Sequence, residues 1–349
     1  MTTKTTKPAS PTTPSQIIDD PGAPNLCLGS HLSIAGGMTN AVAAAEALKL
    51  DTVQVFTKNQ QQWKAKPLAD GAAADWLSEL GRLGWLARTV SHASYLINLA
   101  SPDDELWAKS IDLMTIEIER CEALSIPYLV HHPGAFTTSD LDAGLTRIAR
   151  AYRELFKRTA GFRTVSCLEN TVGAGSVIGR TFEELADLRG RILGEVGEPG
   201  RVGFCFDTCH AHAGGYDMST RDSANAVLDE WDATCGLAHM RCLHLNDSLK
   251  ELASRRDRHA HIGEGTITNP PGPNGKPRKQ PLKDSGFAAV VNRPELRKRP
   301  MILETPKGEN DKGKPLDAMN IRRLRAMVDC APPTGAIQSR SMGCSRPGQ

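Results

Sequence analysis

Eight short runs of β-branched and apolar residues punctuate the chain, and helical spacing follows almost every one. "LCLGSHL" leads into "GGMTNAVAAAEALKL", "TVQVF" into "LADGAAADWLSELGRLG", and "TVSHAS" into "DDELWAKSIDLMTIEIERCEAL". "PYLVHHPG" precedes "SDLDAGLTRIARAYRELFKRTA" and "TVSCLEN" precedes "TFEELADLRGRIL". "VGFCFDT" comes before "SANAVLDEWDATCG", "RCLHLND" follows, and "PMILETP" comes before "LDAMNIRRLRAMVD". Near-continuous apolar strands alternating with amphipathic helices imply parallel strands covered by helices. Eight such units predict an α/β fold of the TIM (β/α)8 barrel type. An open doubly wound sheet fits less well, because no Gly-rich phosphate fingerprint follows the first strand.

The expected organisation is one catalytic domain over residues 25–330, carrying a Pro/Gly/Lys-rich insertion loop at 268–284. The Thr/Pro/Ser-rich residues 1–24 and the segment 331–349 bury too little apolar surface to offset chain entropy, so both are expected to be disordered tails. A chain of 349 residues can build a large core without disulfides, and its nine cysteines are odd in number and scattered. Several lie inside apolar runs, which suits small buried hydrophobes in a reducing compartment. No run is long enough to span a membrane and the first residues lack the apolar block of a secretory signal, so the expectation is a soluble protein of the bacterial cytosol or nucleoid with no membrane partner.

Net charge is only +2, from 42 basic and 40 acidic residues, so any surface for nucleic acid must be local. One candidate is the insertion itself, where Pro and Gly argue against regular structure while Lys276, Arg278, Lys279 and Lys283 supply positive charge. The plain alternative is a solvated loop.

Metal-capable side chains collect at the C-terminal ends of the strand candidates. His92 ends the third, His131 and His132 the fourth, Glu169 the fifth, Asp207 the sixth, His244 the seventh and Glu304 the eighth. In a parallel barrel those ends open on one face, where the active site of this fold is built. His210 stands one helical turn beyond Asp207, and Asp257 and His259 at i and i+2 can point the same way from an extended segment. One such residue alone is ordinarily a hydrogen-bonded structural group. Five imidazoles and four carboxylates on one rim are different, because buried carboxylates are costly unless cations sit among them. The set is too large for one tetrahedral zinc and suits two or three ions sharing a carboxylate, with Zn, Mn or Fe favoured over Ca or Mg.

The remaining candidates have structural readings. Cys209 is expected to pack behind the ring, and His131, His212, His239 and His261 to serve structure. His31 lies near the rim without an identifiable partner, and Gly36–Gly37 suggest close backbone approach to the mouth. Clustered divalent ions neutralise a phosphodiester and acidify water, which makes phosphoester hydrolysis the natural reaction. No GxSxG elbow or Walker loop is present, so acyl transfer and nucleoside-triphosphate chemistry lack support and no nucleotide cofactor is expected. The alternative is a divalent-metal TIM-barrel sugar isomerase or epimerase, a class that needs fewer ligands.

"GSHLSIAGG", "FTKNQQQW", "SHASYLINL", "HHPG", "LENT", "FDTCHAHAGGYD", "HLNDS", "DRHAHIGEG" and "LETP", in this order and spacing, resemble the endonuclease IV family of abasic-site DNA repair enzymes. The resemblance runs from about Leu26 to Val328. It implies a TIM barrel with three zinc ions that cleaves the phosphodiester 5' to an abasic site in double-stranded DNA, leaving a 3'-hydroxyl and a 5'-deoxyribose phosphate. By the same resemblance, Glu169 bridges two ions and is the catalytic carboxylate that orients the attacking water. His92 and His132 complete the first site, Asp207, His244 and Glu304 hold the second, and His210, Asp257 and His259 hold the third. Mn or Fe could replace a zinc, and a monomer is expected. Tyr95 and Leu96 become candidates for wedging the duplex, with Gln61 and Gln62 on the neighbouring DNA-facing loop. Two features depart from the family pattern: Gln61 stands where relatives commonly carry arginine, and the 268–284 connection is longer.

Overall fold

In the computed structural model, which describes residues 22–329, the alternation closes on itself. Strands β1 (Cys27–His31), β2 (Thr52–Val55), β3 (Val90–His92), β4 (Tyr128–His131), β5 (Val165–Glu169), β6 (Val202–Asp207) and β7 (Met240–His244) follow one another around the barrel. The circle is completed by β10 (Pro300–Leu303), which pairs with both β7 and β1, and every barrel pairing is parallel. All eight predicted strands are present. Two short strands outside the barrel, β8 (Asp247–Ser248) and β9 (His259–Ala260), form an antiparallel ladder beyond the end of β7. The expected tails fall outside the described residues apart from 22–24.

Helices α1 (Met38–Ala47), α2 (Ala72–Leu83), α3 (Asp104–Ala123), α4 (Leu141–Arg158) and α5 (Phe182–Val196) cover the first five strands. They are followed by α6 (Thr208–Gly214), α7 (Arg221–Thr234), α8 (Gly286–Asn292) and α9 (Leu316–Arg325). Side chains at the N-caps start several of them: Asp103 accepts from Leu106 N–H, Asp140 from Ala143 N–H and Thr181 from Glu184 N–H, while Thr220 and Ser223 form a capping box. Each such cap stabilises its helix by about 1 kcal/mol.

The core has two layers. A continuous layer between strands and helices includes Trp76, Tyr152, Phe182, Phe204, Phe206 and Trp231, all fully buried. Inside the barrel, a smaller cluster joins Val90, Tyr128, Val130, Val165, Cys167, Cys205, Cys242 and Ile302. Three cysteines therefore do act as small hydrophobes, packed in the lumen beside Tyr128 and Ile302; burial pushes the Cys167 and Cys242 thiols well above their usual range. Gly29 marks a close strand approach, since a Cβ there would sit 2.7 Å from Thr52 Cγ2 and 2.8 Å from Ile302 Cδ1.

Three expectations need correction. Gly36 and Gly37 are required first by their φ angles of 81° and 145°; a Cβ at Gly36 would also sit 2.8 Å from Asn40 Nδ2, while the space beside Gly37 is open. The 268–284 segment is not irregular throughout: Pro271 and Pro277 form an antiparallel bridge and Leu282–Asp284 a turn of 3-10 helix. His31 has partners after all, described below.

Candidate metal centre

Because strand ends define the rim, register alone makes neighbours of residues far apart in sequence. Asp207 and His244 are Cα partners between β6 and β7, and His31 and Gln54 are partners between β1 and β2. All nine sequence-derived ligand candidates converge at this mouth, in three groups whose donor atoms lie within 4.8 Å of one another. The first is His92, His132 and Glu169; the second is Glu169, Asp207, His244 and Glu304; the third is His210, Asp257 and His259.

Glu169 is fully buried and its two oxygens face different groups. Oε2 lies 3.3 Å from His92 Nε2 and 3.4 Å from His132 Nε2. Oε1 lies 2.8 Å from His244 Nδ1 and 3.3 Å from His210 Nδ1. His244 Nδ1 is also 3.1 Å from Glu304 Oε2, and Asp257 contacts both His210 Nε2 and His259 Nε2 at 3.2 Å.

The outward faces of the rings are fixed. His92 Nδ1 pairs with Ala93 O at 2.8 Å, His210 Nδ1 with Asn170 O at 2.9 Å, His259 Nδ1 with Glu304 O at 3.2 Å, and His244 Nε2 with Gln54 Oε1 at 2.9 Å. An acceptor behind each ring requires the proton on that nitrogen, which leaves the opposite lone pair turned to the carboxylates. His259 Nε2 is buried and faces the carboxylates of Asp257 and Asp207, at 3.2 and 3.8 Å. Inward lone pairs and four carboxylates form a donor set suited to divalent ions such as zinc.

Burial would raise the Glu169 pKa, but the imidazoles of His244, His132 and His210 hold it well below the usual carboxylate range. Burial likewise opposes charge on His244, yet Glu304 and Glu169 raise it to about 10, and Asp257 and Asp207 raise His259 to about 9. In the absence of metal, protons therefore occupy rings whose lone pairs a metal would take.

Residues without an assigned role in the sequence reading hold the candidates in place. Gln54 accepts from His244 and donates from Nε2 to Glu304 Oε1 at 2.7 Å, so one amide orients two candidates. His31 Nδ1 lies 2.9 Å from Gln54 Nε2 and 3.4 Å from Glu304 Oε1, while its ring packs 4.3 Å from that of Phe56. Asn246 donates to Asp207 Oδ2 at 2.7 Å and accepts from Glu304 N–H at 2.8 Å. Asn170 exchanges two bonds with the Asp207 backbone, at 2.7 and 3.0 Å. Asp207 Oδ1 caps α6 by accepting from His210 N–H at 2.8 Å, so the residue joins two groups and starts the helix between them. Buried Asp247 accepts from the backbone N–H groups of Ser248, Gly263, Gly265 and Ile267, closing the loop that follows β9. The visible signal was a polar residue in an otherwise apolar run, as in "VQV" and "LHLND".

The other candidates sort plainly. His131 turns away to Tyr152 and Ser166, and burial lowers it to about 4. His212 is buried, has no hydrogen-bond partner for either nitrogen among the described residues, and is also lowered to about 4. His239 meets Arg189 and His261 meets Asn320. Cys209 is buried, with its thiol against Arg258 O, yet its sulfur shares the 4.8 Å neighbourhood of Asp207 and His259, nearer the ring than packing behind it implies. Tyr95 is exposed beside the mouth, its ring 5.2 Å from that of His92 and 5.7 Å from that of Phe56; Leu96 is half-buried. Gln61 and Gln62 are exposed on the loop after β2. That loop is stitched to the Tyr95 loop by Ser94 Oγ–H to Gln60 O at 2.5 Å and by Glu117, which accepts from Thr57 Oγ1 and Ser94 N–H.

Residues 42–272 match the xylose isomerase-like TIM barrel family. A relative named probable endonuclease 4 from Chloroflexus aggregans is 42% identical over 300 residues, covering 86% of this chain and 97% of its own. Another of the same name from Geobacter sulfurreducens is 40% identical over 301 residues, covering 86% and 94%. Among solved structures, endonuclease IV from Thermus thermophilus superimposes with a TM-score of 0.70 at 34% identity, covering 86% of this chain and 98% of that one. D-psicose 3-epimerase from Clostridium cellulolyticum, at 13% identity and a TM-score of 0.58, shares the fold.

Proposed function

The chain belongs to the endonuclease IV family of DNA repair nucleases, and from that premise we propose that it cleaves the phosphodiester 5' to abasic sites in duplex DNA, leaving a 3'-hydroxyl and a 5'-deoxyribose phosphate. The observation that carries this reading is Glu169, a buried carboxylate whose two oxygens address two separate groups of ligand residues. In the proposal, the domain spanning 25–330 holds three zinc ions: one by His92, His132 and Glu169, one by Glu169, Asp207, His244 and Glu304, one by His210, Asp257 and His259. Divalent ions there supply neutralisation of the phosphate and a water acidic enough to attack at neutral pH.

The chain's own groups do the rest. Glu169 is ionised and fixed between facing imidazoles, so it can orient the attacking water without first losing a proton. Asp257 and His259 lie at the more open edge, where a scissile phosphate can approach. Exposed Tyr95 offers its ring to an unstacked base or sugar, with half-buried Leu96 next in sequence and exposed Gln61 and Gln62 on the loop stitched to it, as the wedge of a duplex requires. The protein acts as a monomer in the cytosol, since one lesion engages one barrel mouth; among the described residues no helix is long and apolar enough to cross a membrane.

The test is metal analysis of the purified protein together with incision of a duplex containing one abasic site, before and after prolonged chelation. Expected are about three ions per chain, chelator-sensitive incision, and a product whose 3' end a polymerase extends. A 3' end blocked by a sugar fragment, or incision indifferent to chelation, would sink the proposal. Turnover of free ketoses without incision would favour the epimerase chemistry of the fold's other members.

A further inference from the structure

The 268–284 insertion is a built hairpin rather than a slack connection. Gly272 N–H donates to Lys276 O at 2.8 Å, Gly275 N–H to Gly272 O at 2.8 Å and Arg278 N–H to Pro270 O at 2.8 Å, around the Pro271–Pro277 bridge. Five prolines between 270 and 281 restrict the unfolded alternatives, so the hairpin loses little entropy when it binds a partner.

Both of its arms are rooted on the catalytic face. At the start, Ile267 N–H and Thr268 Oγ1–H donate to Asp247 at 3.0 and 2.5 Å; Asp247 lies on β8, whose partner β9 carries His259. At the end, Gln280 Nε2–H donates to Ser219 O at 2.6 Å, just ahead of α7, and the chain then enters α8 at Gly286. Helix N-termini in this fold lie on the side of the strand C-termini, so the hairpin stands on the rim that holds the candidate metal centre.

What it presents there is cationic. Lys276, Arg278, Lys279 and Lys283 are exposed, and none makes a side-chain hydrogen bond or ion pair among the described residues. Lys276 and Arg278, two apart on the extended returning arm, share a face. The loop before β9 adds exposed Arg255 and Arg258, the latter adjoining Asp257 and His259 in sequence. A rigid arm bearing unpaired cations, beside a site that takes a polyanion, is complementary to a regularly charged backbone.

The geometry points to the hairpin as a second contact with the DNA duplex, gripping backbone phosphates outside the lesion through Lys276, Arg278 and Lys279. The inference rests on DNA being the substrate. It requires no damaged base, because phosphate contacts position a duplex without reading it.

The experiment compares the full chain with the triple variant Lys276→Ala, Arg278→Ala and Lys279→Ala. Binding to a fluorescent undamaged duplex and to one with a tetrahydrofuran abasic analogue is measured across a range of NaCl. Each phosphate that a side chain no longer neutralises removes about 0.9 from the slope of log affinity against log salt. Freeing three phosphates makes the fall in affinity between about 50 and about 200 mM salt shallower by up to about 40-fold. Single-turnover incision at saturating DNA stays at the wild-type rate, since none of the three side chains touches the site. Equal slopes for variant and wild type on both duplexes overturn the hairpin contact. Should the wild type fail to incise, the reading of the site falls, and the slopes on undamaged duplex still decide the hairpin.

Discussion

Replacing Gln54 with leucine isolates a group that touches no substrate yet holds two candidate ligands. The side chain is fully buried, and leucine fills a similar volume, so the barrel should fold. Three contacts disappear together: the bond accepted from His244 Nε2–H at 2.9 Å, the one donated to Glu304 Oε1 at 2.7 Å, and the approach of Nε2 to His31 Nδ1 at 2.9 Å, the first two being those that hold candidate ligands. A bond to a carboxylate contributes about 1.5–3 kcal/mol and a neutral one about 1 kcal/mol. Both partners also stay buried without replacements. Part of that loss is recovered as the rings and carboxylate relax toward a bound ion, so the expected net effect is about 1.4–2.7 kcal/mol, a 10- to 100-fold weakening of one metal. The assay is metal content after dialysis against a graded series of zinc buffers, with circular dichroism confirming the fold. One ion per chain should leave at about 10- to 100-fold higher free zinc than in the wild type, while the others leave together with theirs. Gln54→Glu serves as control: it can still accept from His244 but places a second carboxylate against Glu304, so it should retain that ion no better than leucine does. Superimposable loss curves for Gln54→Leu and wild type would refute the clamp, and full retention by Gln54→Glu would show that the bond to Glu304 is not the operative one.

Glu169→Gln should lower incision by at least about a thousandfold, equivalent to about 4 kcal/mol of barrier, while leaving lesion binding largely intact in a gel-shift assay; activity near wild type would remove the carboxylate from the centre. Adding zinc to the metal-free protein near pH 8 should release at least the protons held by His244, raised to about 10, and His259, raised to about 9. Calorimetry in buffers of different ionisation heat reads that number, and a buffer-independent enthalpy would contradict it. Those raised imidazoles stabilise the metal-free fold fully below about pH 6.5 and lose that contribution as pH rises through their folded values. The depressed carboxyls of Glu169, Glu304 and Asp257 contribute above about pH 4 and fade as pH falls. Thermal unfolding of the metal-free protein should therefore peak between about pH 5 and about pH 7, and a monotonic rise to pH 10 would be inconsistent with both sets of shifts. Tyr95→Ala should weaken binding of an abasic duplex by about 5- to 100-fold, the range for one stacking contact, with little change in melting temperature because the ring is exposed; unchanged anisotropy titrations would take Tyr95 off the DNA face.

The eight barrel strands were legible because a parallel strand buried on both faces reads as an unbroken apolar run bounded by turns. Helix α8 was not, because "GFAAVVN" is apolar all round and too short for its period to tell helix from strand. Helix α6 hid for another reason: its cap, Asp207, and its first turn are the metal-capable residues themselves, so chemistry masked a start signal. The candidate centre was legible in its membership, since ligand-type residues at strand ends must meet once the strands close. Its supports were not. Gln54 means little in "TVQVF" until register sets it beside His31 and within reach of His244 and Glu304, and Asp247 acquires its role only when Gly263–Ile267 folds back over it. Pairings of that kind depend on register and loop closure, which no local pattern encodes.

The two parts of the centre also differ in how their charge is compensated. Glu169, Asp207 and His244 are fully excluded from solvent, so water cannot screen two carboxylates set beside one another at the strand ends. Without metal, the compensation has to come from within, and the raised imidazole of His244 provides it: a proton sits where an ion would otherwise be held. The barrel can therefore close without an ion, the proton on His244 supplying the compensation that a metal would otherwise give. Asp257, by contrast, leaves 43% of its side chain exposed on the loop before β9, where solvent shares the compensation. A group held by strands is fixed at folding, whereas one held by a loop can adjust as a phosphate arrives, so the group of His210, Asp257 and His259 is the one suited to meet substrate.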